Sequence, residues 1–190
     1  MPAPLNQQIV ISGVGGQGVL FVTRLLAEAA IAKGLPVLSS ETHGMAQRGG
    51  TVLSHLKVGD FSSPLIRPGH ADLLLALKAE NIAQHAAFLT PDGWIAVNAA
   101  AAADAGGGRR TRALDAERLA RQIAAPRAVN LILLGFALAA GALPAERRKP
   151  LFCGLADIQS VLQNRLGATP ALLQDALAAL AAGTADPTVR

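Results

Sequence analysis

Short apolar runs closed by glycine alternate with segments of helical period through the first hundred of the 190 residues. "QIVISG" (8–13) is β-branched, nearly continuously apolar and ends on glycine, which reads as a buried strand. From Gln17 the apolar positions Val19, Leu20, Val22, Leu25, Leu26, Ala29, Ala30 and Ile31 suit a helix that stops around Lys33-Gly34. "PVLSS" (36–40) reads as a second strand, and a strand-helix-strand unit of this length implies a parallel sheet. "TVLSHLKVG" (51–59) alternates, with Val52, Ser54, Leu56 and Val58 on one face and Leu53, His55 and Lys57 on the other, as a third strand does. "DLLLAL" (72–77) is a fourth strand, buried on both faces by its unbroken apolar run. A helix from about Glu80 to Phe88, the turn "PDG" and the strand "WIAVN" (94–98) follow. The pattern predicts an α/β fold, with a doubly wound, mostly parallel, Rossmann-like sheet over residues 7–100.

The second half differs in kind. "AAAADAGGGRR" (99–110) is low in complexity and reads as a surface loop. Helices are predicted over 115–125, 129–141, 155–166 and 170–183, separated by Pro126, "GALP" (141–144), Pro150 and Pro170. They form a C-terminal helical extension over 110–190, packed on the sheet or reaching towards a partner. The length suits one domain spanning 1–190.

Composition narrows the chemistry. Hydrophobic residues make up 51% and charged residues 16%, which implies a helix-rich interior or a buried partner face. No run approaches the roughly 18 apolar residues of a membrane span, and the start lacks the pattern of a signal peptide, so the expected compartment is the cytoplasm. With Cys153 as its single cysteine, the chain alone builds no disulfide pair, iron–sulfur cluster or cysteine-ligated zinc site. Cys153 reads as a small buried hydrophobe rather than a reactive thiol. Arg109, Arg110, Arg112, Arg118, Arg121, Arg127, Arg147 and Arg148 supply much of the net charge of +4. They lack the interleaved aromatics of a nucleic-acid site, so they read first as a solvated face and second as contacts for an acidic partner or phosphorylated ligand.

Two stretches carry candidate chemistry. Gly13, Gly15 and Gly18, with Gly16 and Gln17 between them, fit G-x-G-x-x-G between a predicted strand and a predicted helix. Such a loop presents backbone N–H groups to an anion, as in a nicotinamide or flavin nucleotide site; the alternative is that the glycines only pack strand against helix. Glu41 stands near the end of the second strand, where an acid would receive a ribose hydroxyl. It opens "ETHGMAQRGG", which an ordinary dinucleotide site does not need. Gly44, Gly49 and Gly50 permit close backbone approach, Arg48 offers a planar fork for a carboxylate or phosphate, and Glu41, Thr42, His43 and Gln47 add polar groups. This reads as a ligand-facing or interface loop; the alternative is a turn closed internally by an Arg48–Glu41 pair.

"GVGGQGV", "ETHGMAQRGGTVLSHLKVG", "SPLIRPGHADLLLAL" and "NLILLGFALAAGALP", in that order, resemble the gamma-type subunit of the 2-oxoacid:ferredoxin oxidoreductases over residues 7–145. "HGMAQRGG" is most similar to the small beta subunit of the indolepyruvate type. The resemblance implies oxidative decarboxylation of a 2-oxoacid to an acyl-CoA, with thiamine diphosphate, Mg, iron–sulfur clusters and coenzyme A (CoA) in a complex with ferredoxin as acceptor. A large partner subunit then carries the thiamine diphosphate and clusters, and this chain binds no cofactor by itself and is inactive in isolation. Its loops close the active-site or CoA side, and deprived of the partner it self-associates. The alternatives are a self-contained NAD(P)- or FAD-binding oxidoreductase and a nucleotide-binding regulatory module. Among the remaining residues, His55 reads as a packed histidine, and His70 and His85 as exposed. Asp72 orients the turn before its strand, Asn130 is a helix cap or a ligand contact, and "ERRKP" (146–150) is a solvated helix end. No catalytic residue and no metal site are assigned to this chain.

Overall fold

The strand β1 (Gln7–Val14) is apolar on both sides because both sides are covered. Ile9 and Ile11 enter one core and Val10 enters another across the sheet. The computed structural model describes residues 5–43, 50–100, 110–142 and 150–185. After β1 come α1 (Val19–Ala32), β2 (Val37–His43), β3 (Thr51–Val58) and β4 (Ala71–Ala76). A short helical passage contains α2 (Ile82–His85), and β5 (Leu89–Asn98) and β6 (Arg110–Leu114) follow. The chain ends in α3 (Ala116–Gln122), α4 (Val129–Ala142), α5 (Leu155–Leu166) and α6 (Pro170–Thr184).

The six strands lie in the order β2-β3-β1-β4-β5-β6. β1, β4, β5 and β6 pair in parallel, whereas β3 runs antiparallel to both β1 and β2. The first strand-helix-strand unit is therefore parallel in direction, but its two strands are not neighbours. β3 has folded back as a hairpin and occupies the place between them. Its alternation follows the expected faces: Leu56 and Val58 join the helix-covered core, and Leu53 packs on the opposite one.

The two faces are covered unequally. α1 and α3–α6 contribute to one core, while the opposite core takes Ile66 and the passage around α2. α4 reads "VNLILLGFALAAGA" and has no polar stripe beyond its first turn, so it is stable only when surrounded. Leu131, Ile132, Leu133, Leu134, Phe136, Ala137, Leu138 and Ala140 are all buried between sheet and helices. α6 crosses α4 where Gly135 faces the backbone of Leu180 and Gly183 faces the backbone of Ile132 and Phe136. Of the two readings of the C-terminal helices, packing on the sheet side is the one observed for α4.

Several local expectations are corrected. "RTRAL" is the edge strand β6, whereas the sequence pattern reads no strand there. The helix expected over 80–88 is only the one-turn α2 between two 3₁₀ turns. "PDG" lies inside β5 rather than before it, yet it does interrupt pairing: Ala71 pairs with Leu89 and Leu73 with Trp94, so residues 90–93 bulge from the ladder. Residues 101–109 and 143–149, including Arg109, Arg147 and Arg148, lie outside the described residues. Among the described residues no helix is long and apolar enough to cross a membrane.

Cys153 is buried where the chain enters α5. Burial first, and the nearby Asp157 carboxylate second, push its thiol up to about 12. At pH 8 the native thiol should stay unlabelled by a disulfide reagent and react fully in denaturant; stoichiometric native labelling would contradict this placement.

Candidate functional site

β1 leaves the sheet at Val14 and turns through Gly15–Gly18 into α1. Gln17 closes this turn from within: its Oε1 accepts from the Val14 N–H at 2.9 Å, and its own N–H donates to the Val14 carbonyl at 3.1 Å. Its Nε2 reaches the Leu77 carbonyl at 3.5 Å, so this side chain braces the loop against β4 rather than awaiting a ligand. Gly18 has φ +79, and Asn130 of α4 packs against it, donating to its carbonyl at 3.5 Å. Asn130 thus lies against the loop, and its Oδ1 also accepts from the Leu131 N–H at 2.9 Å in the first turn of α4. The first turn of α1 leaves N–H groups without helical acceptors at this end of the sheet.

The second motif is only partly visible. Glu41 and Thr42 are exposed near the end of β2, and His43 is its last residue. Gly44, Gln47, Arg48 and Gly49 lie outside the described residues. Gly50 re-enters beside the glycine loop, where its carbonyl accepts from the Gly15 N–H at 3.0 Å, and Val14 pairs with Thr51. The two motifs therefore meet at one end of the sheet. Glu41, opposite Ser54 on the far side of β3, stands two strands from β1, or about 10 Å away. The interposed strand takes it out of the position a ribose-binding acid needs.

A crevice opens where the chain reverses its winding. β1 leads to α1 on one face, whereas β4 leads to α2 on the other, and ligands of open α/β sheets bind at such switch points. Beside the loop, Gly16, Gln17, Glu117, Arg121, Pro126, Arg127 and Val129 enclose a hollow of about 550 Å³. A second hollow of about 370 Å³ shares Glu117 and Arg121 and adds Lys78, Glu80, Asn98 and Asp115. Asn98 holds the wall of this second hollow in place, donating to the Leu77 carbonyl at 3.4 Å and accepting from the Ala116 N–H at 3.0 Å. Asp115 caps α3 by accepting from the Arg118 N–H at 2.8 Å. Arg121 and Arg127 are exposed and enter no ion pair among the described residues. Guanidinium groups facing a glycine loop suit a phosphate-bearing ligand. Sequence reasoning placed these two arginines in a general basic face, and their position a hundred residues from the loop left no local signal of the match.

The other polar candidates are structural. His85 is buried, not exposed, with Nδ1 2.7 Å from Ser12 Oγ. His55 is packed edge-on to Phe88 and accepts from the Ile66 N–H at 3.3 Å. Burial is the leading cause that lowers the pKa of both imidazoles. His70 is exposed. Asp72 accepts from the Gln8 N–H at 2.8 Å and so holds the start of β1. Among the described residues no cluster of three or more His, Cys, Asp or Glu is placed to hold a metal ion.

The fold is an α/β fold shared with the gamma subunit of a keto/oxoacid ferredoxin oxidoreductase from Geobacter sulfurreducens, which superposes with a TM-score of 0.68 at 23% identity, over 94% of this chain and 96% of that one. Pyruvate oxidoreductase subunit PORC from Thermotoga maritima superposes with a TM-score of 0.74 at 20% identity, over 94% of this chain and 95% of that one. A 2-oxoglutarate:ferredoxin oxidoreductase from Magnetococcus marinus, solved with 2-oxoglutarate, coenzyme A and succinyl-CoA bound, gives 0.76 at 19% identity, over 95% of this chain and 30% of that one. The family model for pyruvate ferredoxin/flavodoxin oxidoreductase matches residues 8–185, and the chain belongs to that family. Indolepyruvate oxidoreductase subunit IorB of Archaeoglobus fulgidus is 44% identical over 94 residues, covering 50% of this chain and 47% of that protein. Ketoisovalerate oxidoreductase subunit VorA of Methanothermobacter thermautotrophicus is 33% identical over 139 residues, covering 70% of this chain and 28% of that one. The chain spans about half the length of the IorB relatives it matches.

Proposed function

We propose that this chain is the small subunit of a thiamine diphosphate-dependent 2-oxoacid:ferredoxin oxidoreductase of the indolepyruvate or aryl-pyruvate type. In this reading a large partner subunit holds thiamine diphosphate, Mg and the iron–sulfur clusters, and passes electrons to ferredoxin. The small chain supplies the switch-point crevice as part of the coenzyme A site. The run Glu41–Gly50, including Thr42, His43, Gly44, Gln47, Arg48 and Gly49, faces the composite site or the partner.

The observation that carries this reading is the glycine loop standing across a hollow from Arg121 and Arg127. Coenzyme A combines a pyrophosphate, a further phosphate and a ribose hydroxyl, and the crevice offers guanidinium groups beside carboxylates such as Glu117. The kinship with IorB supports the indolepyruvate type. A self-contained dinucleotide site is the weaker reading because β3 separates Glu41 from β1.

The test is anaerobic capture of the tagged chain from its own cells, with iron, thiamine diphosphate and aryl-pyruvate oxidation measured on the bound material. A stoichiometric large subunit, and activity that needs both chains, is the expected result. A chain that comes down alone with a bound nucleotide would overturn the proposal. Within the crevice, Arg121→Ala together with Arg127→Ala should raise the Kd for coenzyme A by about tenfold or more, since charge-assisted hydrogen bonds are lost. Both side chains are exposed, so the urea midpoint should not move, and an unchanged Kd by calorimetry would remove them from the site.

A further inference from the structure

Beneath the glycine loop, on the α2 side of the sheet, a buried polar group joins three elements. Ser12 is the residue before Gly13 in β1 and is fully buried; Asn81 and His85 come from the passage around α2 and are 6% and 8% exposed. Asn81 Nδ2 donates to the Gly13 carbonyl at 2.9 Å and to Ser12 Oγ at 3.2 Å. With Ser12 Oγ accepting from Asn81, its own proton needs an acceptor, and His85 Nδ1 at 2.7 Å is that acceptor. The opposite tautomer would strand a buried hydroxyl proton, so the imidazole is neutral and protonated on Nε2.

We propose that Asn81 and His85 are positioning residues that hold the glycine loop in its ligand-binding form, and that only the neutral imidazole does so. The proposal rests on the reading that the loop binds coenzyme A. Protonating Nδ1 turns the acceptor into a donor and leaves the buried Ser12 hydroxyl proton without its acceptor. That cost weakens the network that holds Ser12 and Gly13. Among the described residues no acid is coupled to the charge that appears: its titratable neighbour is His55 of β3, itself beside Lys57, and Phe88 stacks obliquely at 6.4 Å. Burial already pulls His85 below its ordinary value, so the folded chain resists the proton that the unfolded chain accepts. The sign follows: between that lowered value and about 6.5, falling pH removes stability from the network and loosens the loop.

The experiment takes the full chain at pH 7.5 and pH 5.5, alone for hydrogen exchange and captured with its large subunit for coenzyme A binding, with His85→Gln as a neutral acceptor and His85→Phe as a filler without one. Two readouts are taken: hydrogen exchange of residues 13–18, corrected for intrinsic pH dependence, and the Kd of coenzyme A. The wild-type loop should exchange faster and bind about fivefold more weakly at the lower pH, beyond any effect of the ligand's own phosphate seen in His85→Gln. His85→Gln should hold the loop at both pH values, and His85→Phe should loosen it at both. Equal exchange of the loop in all three proteins at both pH values would overturn the inference. If exchange follows the expected pattern but coenzyme A binds none of them, the positioning role stands and the ligand reading fails.

Discussion

Gly183→Ala should destabilise the chain by about 3 kcal/mol or more, although alanine is the better helix former. A Cβ at 183 would fall on the Ile132 carbonyl oxygen and come to 2.8 Å from the Phe136 nitrogen. Both are backbone atoms of α4, so no rotamer change relieves the overlap, and the helices have to separate. Separation opens contacts around Phe136, Ala179 and Leu180, each fully buried. Gly135→Ala should behave likewise, because its Cβ meets the Leu180 carbonyl. Gly154→Ala is the control, with nothing near the added carbon and an ordinary φ. Urea unfolding can be followed through Trp94, the single tryptophan and 3% exposed. A Gly183→Ala midpoint at or above that of wild type would mean that α6 does not dock on α4 in this way.

The second large effect concerns the loop. Gly18→Ala should weaken coenzyme A binding by about a hundredfold while costing about 2 kcal/mol of stability, because two penalties coincide at one atom. The left-handed conformation at φ +79 disfavours any side chain by about 1–2 kcal/mol, and the new Cβ would also overlap Asn130 Nδ2. Gly16 also has positive φ, at +92, but an added carbon there meets open space, so Gly16→Ala should show the conformational penalty alone. Adding Asn130→Ala to Gly18→Ala should recover part of the affinity by removing the clash and leaving the strain. Calorimetry on the four proteins, each captured with the large subunit, decides it: equal losses for Gly16→Ala and Gly18→Ala would show that Asn130 has no part in shaping the loop.

Elements with a strong periodic signal were legible before the fold was known. β1, α1, β4 and α4–α6 stand within a residue or two of their expected places, since each buries a continuous face. The direction of β3 was not legible, because alternation states which side chains share a face and says nothing about the neighbouring strand. β6 escaped notice because "RTRAL" is short and half charged, and an edge strand is free to be so. The pattern reads His85 as an exposed residue of a helix from about Glu80 to Phe88; as the last residue of the one-turn α2 it points its ring at Ser12 instead. At the site, the glycine loop was readable from local spacing, whereas Arg121 and Arg127 reach it only through the packing of α3 and α4.

The reversed strand sets which changes the chain tolerates. Both motif loops are carried by one ladder, Val14 opposite Thr51 and Gln7 opposite Val58, whose register is locked by unlike surroundings on its two sides. Residues added or removed between His43 and Gly50 fall outside that ladder. A single residue inserted within β3 is another matter. It would turn Lys57 and His55 into the α1 side and drive Leu56 towards Phe88, exchanging the two cores at a stroke.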